Sequence, residues 1–121
     1  MPQVFVYGSL KSSNRANRSF NRGLLMREGA EFVEERTLDM PLRMVNLGHF
    51  PALVPVTGGV HSITGEVYTI STQLLQTLDH IEGHPDRFYQ RRQYPELLGE
   101  AWVYVLPTTE THYPPVTNGV W

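Results

Sequence analysis

The sequence predicts an α+β domain, a small mixed β-barrel closed by one or two helices. Three observations lead there. Short apolar runs bounded by turn residues recur along the chain, the pattern of a strand-rich fold. One stretch, residues 71–82, carries a clear helical period. The opening run Val4-Phe5-Val6-Tyr7 is apolar on both of its alternating faces, as in a strand covered from two sides.

Taken in order, that first strand places Phe5 and Tyr7 on one face and Val4 and Val6 on the other. Gly8 lets the backbone turn sharply and present successive N–H groups with no Cβ in the way. A polar loop over residues 11–14 follows. A short helix is expected over 14–22, with Ala16 and Phe20 inward and Arg15, Arg18 and Arg22 sharing another face. Residues 31–37 read as a strand of the outer layer, 42–45 and 52–56 as two short strands, and Gly58-Gly59 as a turn. Residues 63–70 form the next strand, with Ile63, Gly65, Val67 and Thr69 on one side.

The helix over 71–82 has a cap and a stop. Ser71 can accept from the first free N–H groups, and Leu74, Leu75, Leu78 and Ile81 make one apolar stripe. Gly83 stands where helices end, and Pro85 prevents continuation. Strands are expected over 88–94 and 101–106. The tail over 113–121, with two prolines and an Asn-Gly, is expected to lie irregularly on the surface with Trp121 docked.

Bulk properties bound the function. At 121 residues the chain is expected to be a single domain, 1–121, and its 40% hydrophobic content supports one core. A net charge of -2 gives no general attraction to nucleic acid or to anionic membrane, so neither is expected as a partner. The absence of cysteine excludes disulfides, thiol nucleophiles and thiolate metal sites. No basic segment leading into a long apolar run opens the chain, and the expectation is a soluble cytoplasmic protein.

Two places carry chemistry. The amides of Gly8, Ser9 and Leu10, at a strand end, are suited to form an anion-binding nest. Glu82 lies in the last helical turn, where the negative end of the helix dipole disfavours a carboxylate. Apolar Leu78 and Ile81 beside it would push its pKa the same way, toward the range of an acid–base catalyst at neutral pH. The plainer reading of Glu82 is a solvated residue at a helix end. Ser9 lacks a nearby histidine-plus-acid arrangement and reads as a turn hydroxyl. His80 and His84 flank Glu82 as His-x-Glu-x-His, which is not a zinc-helix spacing, and Gly83 interrupts it; no metal is expected.

Five motifs then carry a family resemblance: Tyr7-Gly8-Ser9-Leu10, Phe50-Pro51-Ala52-Leu53, Gly65-Glu66-Val67-Tyr68, Leu78-Asp79-His80-Ile81-Glu82-Gly83 and Tyr89-Gln90-Arg91. In this order they resemble the gamma-glutamylcyclotransferase-like superfamily, and the Pro85 to Arg91 stretch is most similar to its gamma-glutamylamine cyclotransferase and AIG2-like branch. Nearly the whole chain is covered. The resemblance implies that the Tyr7–Leu10 turn holds the α-carboxylate of a small γ-glutamyl substrate and that Glu82 is the general acid/base; the Tyr7 ring itself reads equally as a pocket wall or as a core aromatic on a buried strand. Asp79, Tyr89 and Arg91 would support the turn and Glu82. It implies release of 5-oxoproline and a free amine by intramolecular aminoacyl transfer, with C–N cleavage and no cofactor. On that reading the Ser9 and Leu10 amides and the Glu82 carboxyl line one cavity. The chain departs from the family at Ser13 and Asn14, near a glycine of many members, and Asn17 matches a family Asn only with a one-residue shift. The competing class is a non-catalytic module that binds a carboxylated metabolite.

Overall fold

The computed structural model describes residues 1–7, 28–46, 51–56, 58–82, 89–107 and 114–116, with the backbone alone at Pro51 and Glu82. The elements are β1 (Gln3–Val6), β2 (Glu31–Met40), β3 (Leu42–Asn46), β4 (Pro51–Pro55), β5 (His61–Thr69), α1 (Thr72–Glu82), β6 (Gln90–Gln93), α2 (Pro95–Leu98) and β7 (Trp102–Val105). The helix expected over 14–22 and the docking of Trp121 lie outside the described residues.

β1 is the middle strand of a five-stranded sheet ordered β2-β5-β1-β7-β6. It runs antiparallel to β5 and parallel to β7. This central position is what two apolar faces require: Val4, Phe5, Val6 and Tyr7 are all buried. Val4 and Val6 join the cluster that contains Leu74, Leu75 and Leu78 of α1. Phe5 and Tyr7 belong to a second cluster with Ile63, Val67, Val103 and Leu98. β5 keeps the predicted face, with Gly65 beneath the Phe5 ring.

Among the described residues the sheet does not close into a barrel. Among the described residues β3 and β4 form a ladder only with each other, leaving β2 and β6 as sheet edges. Proline supplies the reason: Pro51 and Pro55 begin and end β4 without a backbone N–H, and Pro41 breaks β2 from β3. The ribbon is tied to the sheet through the Leu106 N–H on the Leu53 carbonyl at 2.8 Å. Its two faces fill both clusters, Leu42, Met44 and Leu53 entering one and Val45, Ala52 and Val54 the other.

Three further differences from expectation have local causes. Leu74, Leu75 and Leu78 are buried, but Ile81 is 37% exposed because the apolar stripe outruns its packing surface in the last turn. The tail is regular at residues 114–116, where Asn46 donates to the Pro114 carbonyl and Val116 to the Met44 carbonyl, both at 2.8 Å. Pro115 fits between those bonds because that position needs no donor. α2 is a short extra helix with proline in its first turn and Gly99 at its end, a start and stop signal present in the sequence.

Candidate active site

The site is built where the carboxyl end of β1 meets the last turns of α1. Ser71 starts that helix as expected, its Oγ accepting the Leu74 N–H at 3.0 Å. The leucine stripe then seats α1 on the face of the sheet that carries Val4 and Val6. Its polar side brings Asp79 over β7, where Asp79 Oδ1 accepts the Tyr104 hydroxyl at 2.7 Å. The same oxygen lies 3.3 Å from Arg91 Nε on β6. The pair is largely withdrawn from water, with side-chain exposures of 21% for Arg91 and 15% for Asp79. The Arg91 guanidinium also stacks 4.3 Å from the centre of the Trp102 ring, a cation–π contact worth about 0.5–2 kcal/mol.

From the other side, Tyr7 ends β1 and donates its hydroxyl to the main-chain carbonyl of Tyr104. Tyr7, Tyr104, Asp79 and Arg91 thus form one continuous polar connection from the end of the first strand to α1. Register explains the convergence. Val6 faces Glu66 across β1–β5, Val4 faces Trp102 across β1–β7, and Arg91 faces Tyr104 across β6–β7. Glu66, Val6, Tyr104 and Arg91 therefore make one lateral row on the α1 face of the sheet.

Glu66 is the buried acid of this row. It is 2% exposed and accepts the Tyr68 hydroxyl at 2.9 Å. A carboxylate in such a place is tolerated only with polar partners, and the tyrosine two residues along the same strand face provides one.

The structure thus brings together Tyr7, Asp79 and Arg91 of the predicted site residues, and buries Tyr89 in the adjoining cluster. Glu82 is the last residue of α1, three positions after Asp79; its side chain, and all of Gly8, Ser9 and Leu10, lie outside the described residues. Sequence reasoning missed Tyr104 and Trp102, and it named Glu66 and Tyr68 in a motif without a role for the pair. The signal for the pair was a single acid in the otherwise uncharged run His61–Thr69, with a tyrosine on its own face. Among the described residues no three His, Asp or Glu side chains converge as a metal site, and no helix is long and apolar enough to cross a membrane.

Comparison with known proteins bears on what this arrangement serves. Residues 4–121 match the family model described as Gamma-glutamyl cyclotransferase, AIG2-like. The chain belongs to that family. It is 32% identical over 117 residues to a gamma-glutamylaminecyclotransferase of Bos taurus, covering 93% of this chain and 67% of that protein. To the gamma-glutamylcyclotransferase family protein ytfP of Citrobacter rodentium it is 30% identical over 119 residues, covering 98% and 94%. The solution NMR structure of protein ytfP from Escherichia coli matches with a TM-score of 0.68 at 30% identity, over 98% of this chain and 95% of that one. As a member of the gamma-glutamyl cyclotransferase, AIG2-like family, the chain is a cyclotransferase-type enzyme rather than a bare binding module.

Proposed function

We propose that this enzyme cyclises the γ-glutamyl group of a γ-glutamylamine, releasing 5-oxoproline and the free amine. The backbone of Gly8, Ser9 and Leu10 binds the substrate α-carboxylate and Glu82 moves the protons. The observation that carries this reading is that Tyr104 bonds both to Tyr7, the residue before Gly8, and to Asp79, in the helical turn that ends in Glu82.

The chemistry asks for little else. The substrate α-amino nitrogen attacks its own γ-carbonyl carbon, a new C–N bond closes the five-membered lactam, and the C–N bond to the leaving amine breaks. An α-ammonium group has a pKa of roughly 8, so at neutral pH a base must take its proton before attack. Glu82 receives that proton and returns it to the departing nitrogen; the second proton, shed by the attacking nitrogen as it becomes the lactam N–H, follows the same route to the released amine, so the enzyme ends the cycle in its starting state. Ring closure joins two ends of one molecule, and holding the glutamyl chain curled supplies much of the acceleration. An amine leaving group is preferred here over a peptide on the strength of the bovine relative, whose name specifies a γ-glutamylamine.

The test is Glu82→Gln, which keeps the shape and the hydrogen-bonding length but cannot carry a proton at neutral pH. Release of 5-oxoproline from a panel of γ-glutamylamines should fall at least about a hundredfold, in line with general acid–base contributions of ~10²–10⁴. Binding of 5-oxoproline, measured by calorimetry, should persist. Near-normal turnover would remove Glu82 from the mechanism.

A further inference from the structure

We propose that Tyr104 is a positioning residue that holds the two halves of the site in register, its main chain serving the carboxylate cradle and its phenol serving the general acid/base. This rests on the cyclisation proposed above. Nothing in the family relationship singles out this tyrosine; its geometry does. The Tyr104 carbonyl receives the hydroxyl of Tyr7, the residue before Gly8. The Tyr104 hydroxyl holds Asp79, one helical turn before Glu82.

The need for such a residue follows from how the halves are otherwise attached. β1 is locked by ladders to β5 and β7. α1 is held to the sheet through Leu74, Leu75 and Leu78, contacts that are apolar and non-directional. Apolar packing sets the spacing between helix and sheet, but leaves rotation and sliding of the helix weakly determined. Hydrogen bonds are directional, and Asp79 accepts one from Tyr104 on β7 while it is ion-paired with Arg91 on β6. Residues three apart share a helix face, so fixing Asp79 fixes where the backbone of Glu82 sits. Displacements of about 1 Å at a reacting group can cost about a hundredfold in rate, which makes the anchor matter kinetically. Of the two partners, Tyr104 is the stiffer: it is 5% exposed on an interior strand, whereas Arg91 reaches Asp79 from the edge strand β6. Asp79 is consequently an anchor, held through its Oδ1.

The two functions of Tyr104 can be separated by mutation. Tyr104→Phe removes the phenol but keeps the carbonyl, the ring packing and the β7 ladder. It should lower kcat for 5-oxoproline release from a γ-glutamylamine by about tenfold or more, since a hydrogen bond to a charged group is lost. KM should stay within about twofold, because the cradle side is untouched. Tyr7→Phe breaks the opposite arm and should act mainly on KM. Asp79→Asn should reproduce the kcat loss, and the double variant with Tyr104→Phe should be no worse than the poorer single, as expected for two members of one contact.

All rates are compared well below each variant's thermal midpoint. A Tyr104→Phe enzyme with kcat within twofold of the parent overturns the proposal. So does a double variant whose loss is the product of the singles, or a Tyr7→Phe effect confined to kcat. A loss in Tyr104→Phe that merely tracks its unfolded fraction also overturns it. An active Glu82→Gln protein would instead sink the cyclisation mechanism itself, whereas an inactive Glu82→Gln beside an unimpaired Tyr104→Phe sinks only the positioning role.

Discussion

Gly65→Ala should destabilise this protein through one badly placed methyl group. A Cβ at Gly65 would stand 2.5 Å from the Val6 carbonyl oxygen and 2.6 and 2.9 Å from two carbons of the Phe5 ring. Neither neighbour can yield cheaply. Val6 is held in the β1–β5 ladder opposite Glu66, and Phe5 is 1% exposed inside a filled cluster. Overpacking of this kind costs about 1–3 kcal/mol, and three approaches below 3.0 Å argue for the upper end. Alanine also lowers the entropy of the unfolded chain, which returns about 0.4–1 kcal/mol. The net expectation is a loss of about 2 kcal/mol, a fall in thermal midpoint of roughly 8 °C for a domain of this size. Because the displaced strand leads into Tyr7, KM should rise as well. Gly59→Ala is the internal control: nothing stands within 4 Å of its Cβ, so its midpoint should hold or rise slightly. Thermal melts of the three proteins decide the matter. Equal midpoints for Gly65→Ala and the parent would refute the steric argument.

Two other perturbations test the scaffold around the site. Ser71→Ala removes the oxygen that caps the Leu74 N–H and should cost about 1 kcal/mol, read as a lower urea midpoint at unchanged slope. An unchanged midpoint would mean that water replaces the cap fully. Tyr68→Phe deprives the buried Glu66 carboxyl of a 2.9 Å donor while keeping the ring that packs edge-on against Phe32. It should cost about 1.5–3 kcal/mol by urea denaturation, and a neutral result would show that Glu66 does not depend on that hydroxyl.

What the sequence by itself determined is the local grammar of the fold. The double-faced apolar run 4–7 already implied a strand covered on both sides, and β1 is the central strand. Ser71 and the leucine spacing marked α1 to within a residue at its start, and parity alone placed Ile63 and Val67 on a common buried face. These features were legible because period, capping and turn sterics act over a few residues and leave their mark in residue order. Of the motif pair at Tyr7–Leu10 and Asp79–Glu82, the structure describes the side chains of Tyr7 and Asp79, each bonded to Tyr104. The tertiary structure alone decided which strand lies beside which: that β7 returns parallel to β1, that residues 114–116 pair with β3, and that the sheet stays open. It also decided that Tyr104, 25 positions from Asp79 and 97 from Tyr7, bonds to both. Ile81 shows the limit in the other direction, with a helical phase read correctly and a burial that depended on where the facing surface ends. Periodicity states which way a side chain points along its own element. What meets it there depends on chain crossings, whose cost and reward are spread over residues too far apart to leave a local pattern.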